Sequence, residues 1–484
     1  MGMTKKKTQK LPNRMVPYSD AFKEFICEDW APYPEDLPEP SPATAYTPIR
    51  RERIQALFPH DRLVIPAGCL TVRSNDCDHR FRPHSAFAYM TGLGEDLEPD
   101  AVLIIENNQA VLYFHARVPR TDPEFYSSAR YGEMWVGARP SIQEMASLTN
   151  LEVHDCGELD SALAAPLDPE GKLRVVPGAD ARIEALVNAL RGKDAEADNE
   201  FEVALSEARL IKDEFEIGEM EKACAATLTG FEAVIADIPQ AVRAGRGERW
   251  VEGIFGLHAR HLGNALGYDT IAAAGDHACT LHWIRNDGNL RDGDLLLLDA
   301  GVEVNSLYTA DITRTLPVSG RFSPVQRKVY QAVLAAQQAG FDAAKPGAKF
   351  SDVHDAAVRV IAEHLADWGI LPVGVEQTLS EDGGQYRRWM VHGTSHHLGI
   401  DVHDCAQARR KLYRGGKLKA GMIITVEPGI YFKSTDLMVP EEFRGIGVRI
   451  EDDILITEDG CRVLSQDFPR DADGVEAWMA GVWA

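Results

Sequence analysis

Two aspartates near the middle of the chain stand at the ends of runs that could form neighbouring strands. Asp299 closes the apolar run Leu295–Leu298, which predicts a buried strand, and Asp311 opens a run of β-branched residues. If the two runs form a hairpin, both carboxylates reach one point, on the face that Thr313 shares through the strand period of two. Two like charges in a core need a cation, and oxygen ligands favour a divalent metal. Considered alone, the pair is equally consistent with aspartates at turns or helix caps.

A dense histidine cluster follows in the segment Met390–Asp404. It contains His392, His396, His397 and His403. Histidines at this density, beside glycines that permit a close backbone approach, indicate metal ligation or stabilisation of an oxyanion. Any one of them alone would more often be an ordinary core or surface residue.

Two glutamates are further candidates for metal ligands, like the two aspartates. Glu427 closes the apolar run Ile423–Val426, as Asp299 closes its own, and Glu451 lies two residues after Arg449, so both point to one face of a strand. Either glutamate alone would be a surface or salt-bridged residue. Two aspartates, two glutamates and one histidine together carry four negative charges, which two divalent cations would neutralise. Such a metal pair can hold a water between them and lower its pKa.

The elements that must position these residues predict mixed α/β architecture. Strand-like runs at Arg62–Pro66, Ala101–Glu106, Ala110–His115 and Leu173–Pro177 alternate with helical stretches such as Ala179–Leu190. This alternation is typical of an α/β domain. Helical patterns over about 202–209 and 213–237 then open a second domain.

The boundaries follow from composition. Residues 1–45 are rich in proline and charge and predict an irregular arm, residues 46–200 a first domain and residues 201–484 a second. The charged stretch Lys193–Glu200 is predicted to be a linker or surface turn. The first domain should begin with a helix capped by Thr47, with Ile49, Ile54 and Leu57 on one face.

The totals exclude several classes of protein. Acidic residues number 74 against 51 basic ones, and a net charge of −23 repels phosphate backbones, so no nucleic acid partner is expected. No run of about 20 apolar residues exists to span a membrane. Eight scattered cysteines without a C-x-x-C pair fit a reducing compartment. The basic segment Met1–Lys10 lacks the apolar stretch of a secretory signal, so we expect a cytoplasmic protein.

Five segments resemble the metal-site blocks of the pita-bread metallopeptidases (family M24B), which include aminopeptidase P, prolidase and methionine aminopeptidase. They are LDAG, ADITRT, HGTSHHLGIDVHD, VEPGIYF and GVRIEDD, and the resemblance covers about residues 205–465. The stretch Arg73–Ile105 resembles the N-terminal domain of aminopeptidase P and the larger prolidases, which methionine aminopeptidases lack. Ser395 and the run RGIGVRIEDD favour aminopeptidase P. The resemblance implies an α/β N-terminal domain followed by a pita-bread domain, in which helices flank a curved antiparallel sheet.

The resemblance also implies a role for each site residue. The metal ligands would be Asp299, Asp311, His396, Glu427 and Glu451, with Asp311 bridging or bidentate and Glu451 bridging. His392 and His403 would hold substrate and stabilise the oxyanion, His282 would lie near the scissile carbonyl, and Arg449 near the metal carboxylates. His397 beside His396 leaves the choice of ligand open on spacing, and the match to the family selects His396. The second aspartate follows the first after 12 positions where the family usually has 11, and we expect the turn at Val304–Thr309 to absorb the difference.

The implied reaction is hydrolysis of the N-terminal Xaa-Pro bond of peptides with proline at the second position. A hydroxide bridging two divalent ions would attack, and Glu427 would pass its proton to the prolyl nitrogen. Manganese is the first expectation, with cobalt or zinc as alternatives, because four carboxylates and one imidazole favour hard or borderline cations. A homodimer or homotetramer is implied as well.

Three other functions remain open at this point. Prolidase would perform the same chemistry on Xaa-Pro dipeptides only. A non-catalytic pita-bread module would bind peptides without cleaving them. A creatine hydrolase or a sulfonium lyase would use the same scaffold for another reaction.

Overall fold

The structure is a computed structural model that describes residues 17–95 and 97–484, so the basic segment Met1–Lys10 lies outside the described residues. The chain forms two compact units that divide between Phe201 and Glu202. The α-helices are α1 Asp20–Phe25, α2 Thr47–Gln55, α3 Ser85–Thr91, α4 Glu124–Ser127, α5 Glu133–Val136, α6 Ile142–Thr149, α7 Leu159–Ala164, α8 Ala181–Arg191, α9 Ala195–Ala208, α10 Glu214–Ala244, α11 Gly247–Leu262, α12 Pro324–Ala343, α13 Phe350–Asp367, α14 Val375–Leu379 and α15 Ala472–Trp483. The strands are β1 Arg62–Pro66, β2 Val72–Ser74, β3 Cys77–Asp78, β4 Val102–Glu106, β5 Gln109–Phe114, β6 Glu152–Asp155, β7 Leu173–Val175, β8 Ala265–Leu266, β9 Ile271–Ala274, β10 Leu295–Ala300, β11 Val302–Glu303, β12 Ile312–Pro317, β13 Ile423–Val426, β14 Gly429–Phe432, β15 Ile446–Arg449, β16 Asp452–Ile456 and β17 Cys461–Val463.

The first unit is built on a five-stranded mixed sheet in the order β6-β5-β4-β1-β7. The central pairs β1–β4 and β4–β5 are antiparallel, whereas the outer pairs β5–β6 and β1–β7 are parallel. A core cluster joins the sheet to its helices, with Val64, Val102 and Val175 from strands and Ile183 from α8 all buried. This sheet with its helices confirms the predicted α/β fold of the N-terminal part.

Two local predictions in this part of the chain were wrong. Tyr46 stands at the N-cap of α2, where Thr47 was expected, and Ile49 is 49% and Leu57 62% exposed, so only Ile54 of the proposed face is buried. Most of Lys193–Glu200, predicted to be a linker or turn, lies in α9.

The second unit is organised around an antiparallel hairpin of β10 and β12. Leu295–Leu298 are buried, as predicted, and β9 pairs with the other edge of β10. Asp299 lies opposite Thr313 in the register of the hairpin. Because the register fixes which side chains share a face, it also fixes where the acidic residues meet.

Further antiparallel pairs bring the C-terminal acidic residues beside this hairpin. The strand order β13-β16-β17 forms one sheet and β14 pairs with β15, while a bridge between Thr313 and Glu451 links β12 to the start of β16. Helix α12 packs closely against β13, since a Cβ on Gly340 would lie 2.8 Å from the Val426 side chain. The predicted arrangement of antiparallel strands flanked by helices is confirmed.

Candidate active site

The two aspartates face the same side of the hairpin, as predicted. Asp299 is opposite Thr313, and Asp311 lies two residues before Thr313, so the period of two places both carboxylates on one face as diagonal neighbours. The Tyr268 hydroxyl lies 2.6 Å from Asp299 Oδ1 and 2.5 Å from Asp311 Oδ1. Gly301 opposes Asp311 and carries no side chain, and a Cβ there would lie 1.7 Å from the Ala310 carbonyl oxygen.

The tip of the hairpin absorbs the longer spacing between the aspartates. Beyond Ala300 and Ile312 the same register continues to a bridge between Glu303 and Thr309. The Val304 N–H then donates to the Tyr308 carbonyl at 2.9 Å, and Leu307 takes a φ of 73° within the turn. No register shift interrupts the described strands of the hairpin, which confirms the expectation that the strands stay intact.

One histidine and two glutamates complete the cluster. His396 Nε2 lies 3.3 Å from Asp311 Oδ2 and 3.7 Å from Glu427 Oε1. Glu451 accepts a hydrogen bond from the Thr313 hydroxyl at 2.7 Å. One possible ligand atom each from Asp311, His396 and Glu451 lie within 4.8 Å of one another, which is the spacing that a shared cation requires.

The neighbouring His397 lies outside the cluster. Its ring stacks on Phe350 at 5.3 Å between centroids and meets Tyr413 edge-on at 4.6 Å. Burial lowers the pKa of His397 to about 3, so it stays neutral in the core. His396 therefore is the histidine of this pair that faces the acidic residues, while its Nδ1 lies 3.2 Å from the His397 carbonyl oxygen.

Burial and the crowding of negative charge shift the pKa values of the residues in the cluster. Burial, and then the charge of Asp311, raise the pKa of Glu451 well above its ordinary value. Burial also raises the pKa of Glu427 to about 7. Burial alone would lower the pKa of His396, but its hydrogen bond to Asp311 and the negative charges around it raise the pKa to about 9. These carboxylates can all be ionised together only if positive charge lies among them.

The other predicted residues surround the cluster. The His392 ring approaches the Tyr431 hydroxyl at 2.8 Å through Nε2 and Glu427 Oε2 at 3.6 Å through Nδ1. The His403 ring lies 4.5 Å from that of His396. His282 is exposed on the same cavity.

Arg449 connects several of these groups. Its guanidinium pairs with Asp299 through Nη2, and it donates through Nη1 to the Tyr431 hydroxyl at 3.1 Å. Its Nε donates to the Thr313 hydroxyl at 3.2 Å. The buried guanidinium of Arg449 thus contacts the Asp299 carboxylate and two hydroxyls. One of these hydroxyls donates to Glu451 and the other lies beside the His392 ring.

Three residues that contact the site were not predicted from the sequence. Tyr268 and Tyr431 contact the cluster, yet neither lies in a pattern that distinguishes it from other buried tyrosines. Asp453 accepts the backbone N–H of Asp311 at 3.1 Å and the Cys224 thiol at 3.4 Å. The second aspartate of the IEDD run was the available signal, because residues two apart on a strand share a face, and Asp453 follows Glu451 by two.

The acidic cluster and the predicted residues around it line one cavity of about 810 Å³ in the second unit. Its polar lining includes Tyr268, Asp299, Asp311, His282, His392, His396, His403, Glu427, Arg449 and Glu451. Apolar residues such as Leu281 and Ile284 complete the wall. The arrangement can bind cations at one place, accept a peptide beside them and move protons through buried acids and imidazoles.

Fold and site together define a metallopeptidase, and the chain belongs to metallopeptidase family M24, whose model matches residues 218–458. The model of the aminopeptidase P N-terminal domain matches residues 48–175. The chain is 50% identical to Xaa-Pro aminopeptidase 1 of Streptomyces coelicolor over 469 residues, covering 96% of this chain and 93% of the relative. Aminopeptidase PepP of Pseudomonas aeruginosa is 31% identical with a TM-score of 0.79, covering 91% of this chain and 98% of that one. A zinc-substituted Escherichia coli aminopeptidase P in complex with product is 29% identical with a TM-score of 0.76, covering 91% and 98%.

Proposed function

We propose that the protein is a metal-dependent Xaa-Pro aminopeptidase, which removes the N-terminal residue from peptides whose second residue is proline. One observation carries the proposal: Asp299, Asp311, His396, Glu427 and Glu451, distant along the chain, converge on one cavity. A relative that carries the name Xaa-Pro aminopeptidase and aligns with nearly the whole chain supports the same activity.

The donor set suits two divalent cations. The ionisable groups that line the cavity offer oxygen and nitrogen, with no thiol among those that the structure describes, and such ligands favour hard or borderline metals. The raised pKa values of Glu427 and Glu451 indicate that cations would replace protons at this place. We propose that the five convergent residues would hold the ions, with manganese as the native metal. Cobalt and zinc are the alternatives.

Bound metal would supply Lewis acidity that activates a water and polarises the scissile carbonyl. Glu427 takes the proton of the attacking water and delivers it to the prolyl nitrogen, which carries no hydrogen in the peptide and leaves only once protonated. His282 donates a hydrogen bond to the carbonyl oxygen as negative charge develops there. His392 and His403 flank the proline ring, and Arg449 keeps Asp299 in place through their ion pair.

The test is the loss of turnover in Asp311→Ala and Glu427→Ala at saturating manganese. Both variants should fall below one-hundredth of the wild-type rate, because each loses a ligand and Glu427→Ala also loses the proton carrier, an effect on the order of 10²-fold or more. Glu376→Gln removes one charge from an exposed ion pair with Arg359 and should leave the rate unchanged. Either alanine variant that keeps more than half of the activity would refute the site.

The identity of the metal needs a separate experiment. Protein purified without added metal is analysed for bound manganese, cobalt and zinc, and then treated with chelator. We expect chelation to abolish cleavage and manganese to restore it. Protein that holds no metal and gains no activity from manganese would overturn the assignment of the cluster.

The domain organisation and the assembly of the protein are further proposals. We propose an N-terminal arm over residues 1–45, a first domain over 46–200 and a catalytic domain over 201–484, in a cytoplasmic homodimer or homotetramer. All eight cysteines are free, and among the described residues no helix is long and apolar enough to cross a membrane. Sedimentation in which only a 53.4 kDa species appears would contradict the oligomer.

A further inference from the structure

The arginines that line the cavity differ in whether an acidic residue neutralises their charge. The charged lining contains five carboxylates (Asp269, Asp299, Asp311, Glu427 and Glu451) and three arginines (Arg410, Arg414 and Arg449). Arg449 is neutralised by Asp299. Within the part of the chain that the structure describes, the guanidinium groups of Arg410 and Arg414 have no ion-pair or hydrogen-bond partner.

The segment that carries these two arginines, residues 409–416, forms turns that are closed by backbone hydrogen bonds. The Gly415 N–H donates to the Arg410 carbonyl at 2.7 Å, and the Gly416 N–H donates to the Tyr413 carbonyl at 3.0 Å. Arg409, the third arginine of the segment, donates through Nε to Glu207 at 2.6 Å. The guanidinium group of Arg409 is therefore paired, whereas those of Arg410 and Arg414 remain available to a ligand.

A carboxylate is the ligand that this arrangement suits. The guanidinium group is always charged and presents a planar set of donors that matches the two oxygens of a carboxylate. Exposed arginines are ordinarily solvated, but these two line the cavity whose remaining charged residues are acidic or already paired. A peptide placed there with its cationic amino end at the carboxylates would have its anionic groups left for the arginines.

We propose that Arg410 and Arg414 form a carboxylate-binding subsite that selects peptides with a negative charge at the third residue. The proposal rests on the proposed function, because it extends the same cavity beyond the scissile bond. The third residue follows the scissile bond by two residues, roughly 7 Å of extended chain. The carboxylate can belong either to the C-terminus of a tripeptide or to an acidic side chain.

The test compares four substrates with the same first residue. They are Xaa-Pro-Gln amide as the neutral reference, Xaa-Pro-Glu amide, Xaa-Pro-Gln with a free carboxylate, and the dipeptide Xaa-Pro. We expect kcat/KM of the wild type to be roughly three- to tenfold higher for a tripeptide with one carboxylate than for the neutral reference, as two solvent-exposed ion pairs allow. The substrate that gains shows which source of carboxylate the subsite accepts.

Variants assign the preference to the two arginines. The double variant Arg410→Gln/Arg414→Gln should lose the preference, so that its kcat/KM is the same for charged and neutral tripeptides. Arg409→Gln removes a charge outside the cavity lining and should keep the preference. Arg410→Glu/Arg414→Glu should instead prefer Xaa-Pro-Lys amide. Equal wild-type rates on all tripeptides, or a preference that survives in the double glutamine variant, would overturn the subsite. Failure of the wild type to cleave even the neutral reference would remove the proposed activity itself, and the subsite with it.

Discussion

Glu248 is a fully buried carboxylate on α11 that accepts hydrogen bonds from a single loop, and the same loop carries His282. The four donors are the backbone N–H groups of Ala274 and Gly288, the His277 ring and the Trp283 indole, at 2.6–2.9 Å. The loop closes tightly on this group, because a Cβ on Gly288 would lie 2.7 Å from the Glu248 carboxyl carbon. Replacement by glutamine keeps the volume and removes the charge, so it tests whether the loop positions His282.

The loss of stability expected in Glu248→Gln follows from the number of hydrogen bonds that each carboxylate oxygen accepts. Each carboxylate oxygen of Glu248 serves two donors, and a glutamine amide would turn one oxygen into an NH₂ group that faces donors. Two hydrogen bonds to a charged group are lost, at about 1.5–3 kcal/mol each, so the cost is about 3–6 kcal/mol. The melting temperature should fall by roughly 6–12 °C at the lower end of that cost.

The assay separates a positioning role from a merely structural one. In Glu248→Gln, hydrogen exchange should accelerate in residues 274–288, and kcat should fall roughly tenfold or more with a smaller change in KM, because His282 would no longer meet the developing negative charge. Glu252→Gln makes the same chemical change on the same helix, in a residue paired only loosely with Arg249 at 3.8 Å, and serves as the control. An unchanged kcat in a variant whose loop exchanges faster would refute the link between the loop and catalysis.

Further changes test the hairpin, a buried ion pair and the metal site. Gly301→Ala should separate the aspartates, since its Cβ would lie 1.7 Å from the Ala310 oxygen; we expect folded protein with little bound manganese, and wild-type metal content would contradict this. Asp404 accepts hydrogen bonds from Lys212 at 3.0 Å and Arg209 at 2.9 Å, and although burial alone would raise the pKa of Asp404, these charges lower it. Its stabilising effect is therefore complete above the unfolded pKa of about 3.9 and is lost as the pH falls through the lower folded value. Urea unfolding should show Asp404→Asn destabilised at pH 7 but losing less stability than the wild type below about pH 4, and parallel curves would contradict the pairing. Manganese at 100 times its Kd should stabilise chelator-treated protein by about 2.7 kcal/mol, and a melting temperature that ignores manganese would argue against a site in the folded state.

The acidic hairpin was predictable because two independent signals agreed. The buried run Leu295–Leu298 fixed a strand, and the β-branched residues after Asp311 fixed its partner, so the period of two was enough to bring both carboxylates to one face. No such pattern in the sequence predicts the order of the remaining strands. Tyr268 and Tyr431 reach the cluster only through tertiary packing, which periodicity does not encode.

The two wrong predictions about helices have physical causes. Lys193–Glu200 has few apolar residues, which is typical of a linker, yet alanine and glutamate are strong helix formers. Helix α9 leaves Ala197 only 1% exposed and buries Phe201 fully. Helix α2 is short and buries only a narrow stripe, which leaves Ile49 exposed, and it ends at Gln55, so Leu57 lies beyond it.

The register of the site is secured from the side of the strands that faces away from the cavity. Thr313 and Glu451 face the cavity, so the next residues along the strands, Arg314 and Asp452, point to the opposite side. There the fully buried Arg314 donates to Asp452 at 2.7 Å, and Gln337 of α12 donates to the same carboxyl at 2.8 Å. A slip of one residue would bring an arginine into the cluster and leave its buried carboxylate unpaired, at a cost of several kcal/mol. The acidic cluster can therefore be crowded and electrostatically costly, because the hydrogen bonds that fix its geometry are made by residues that do not take part in it.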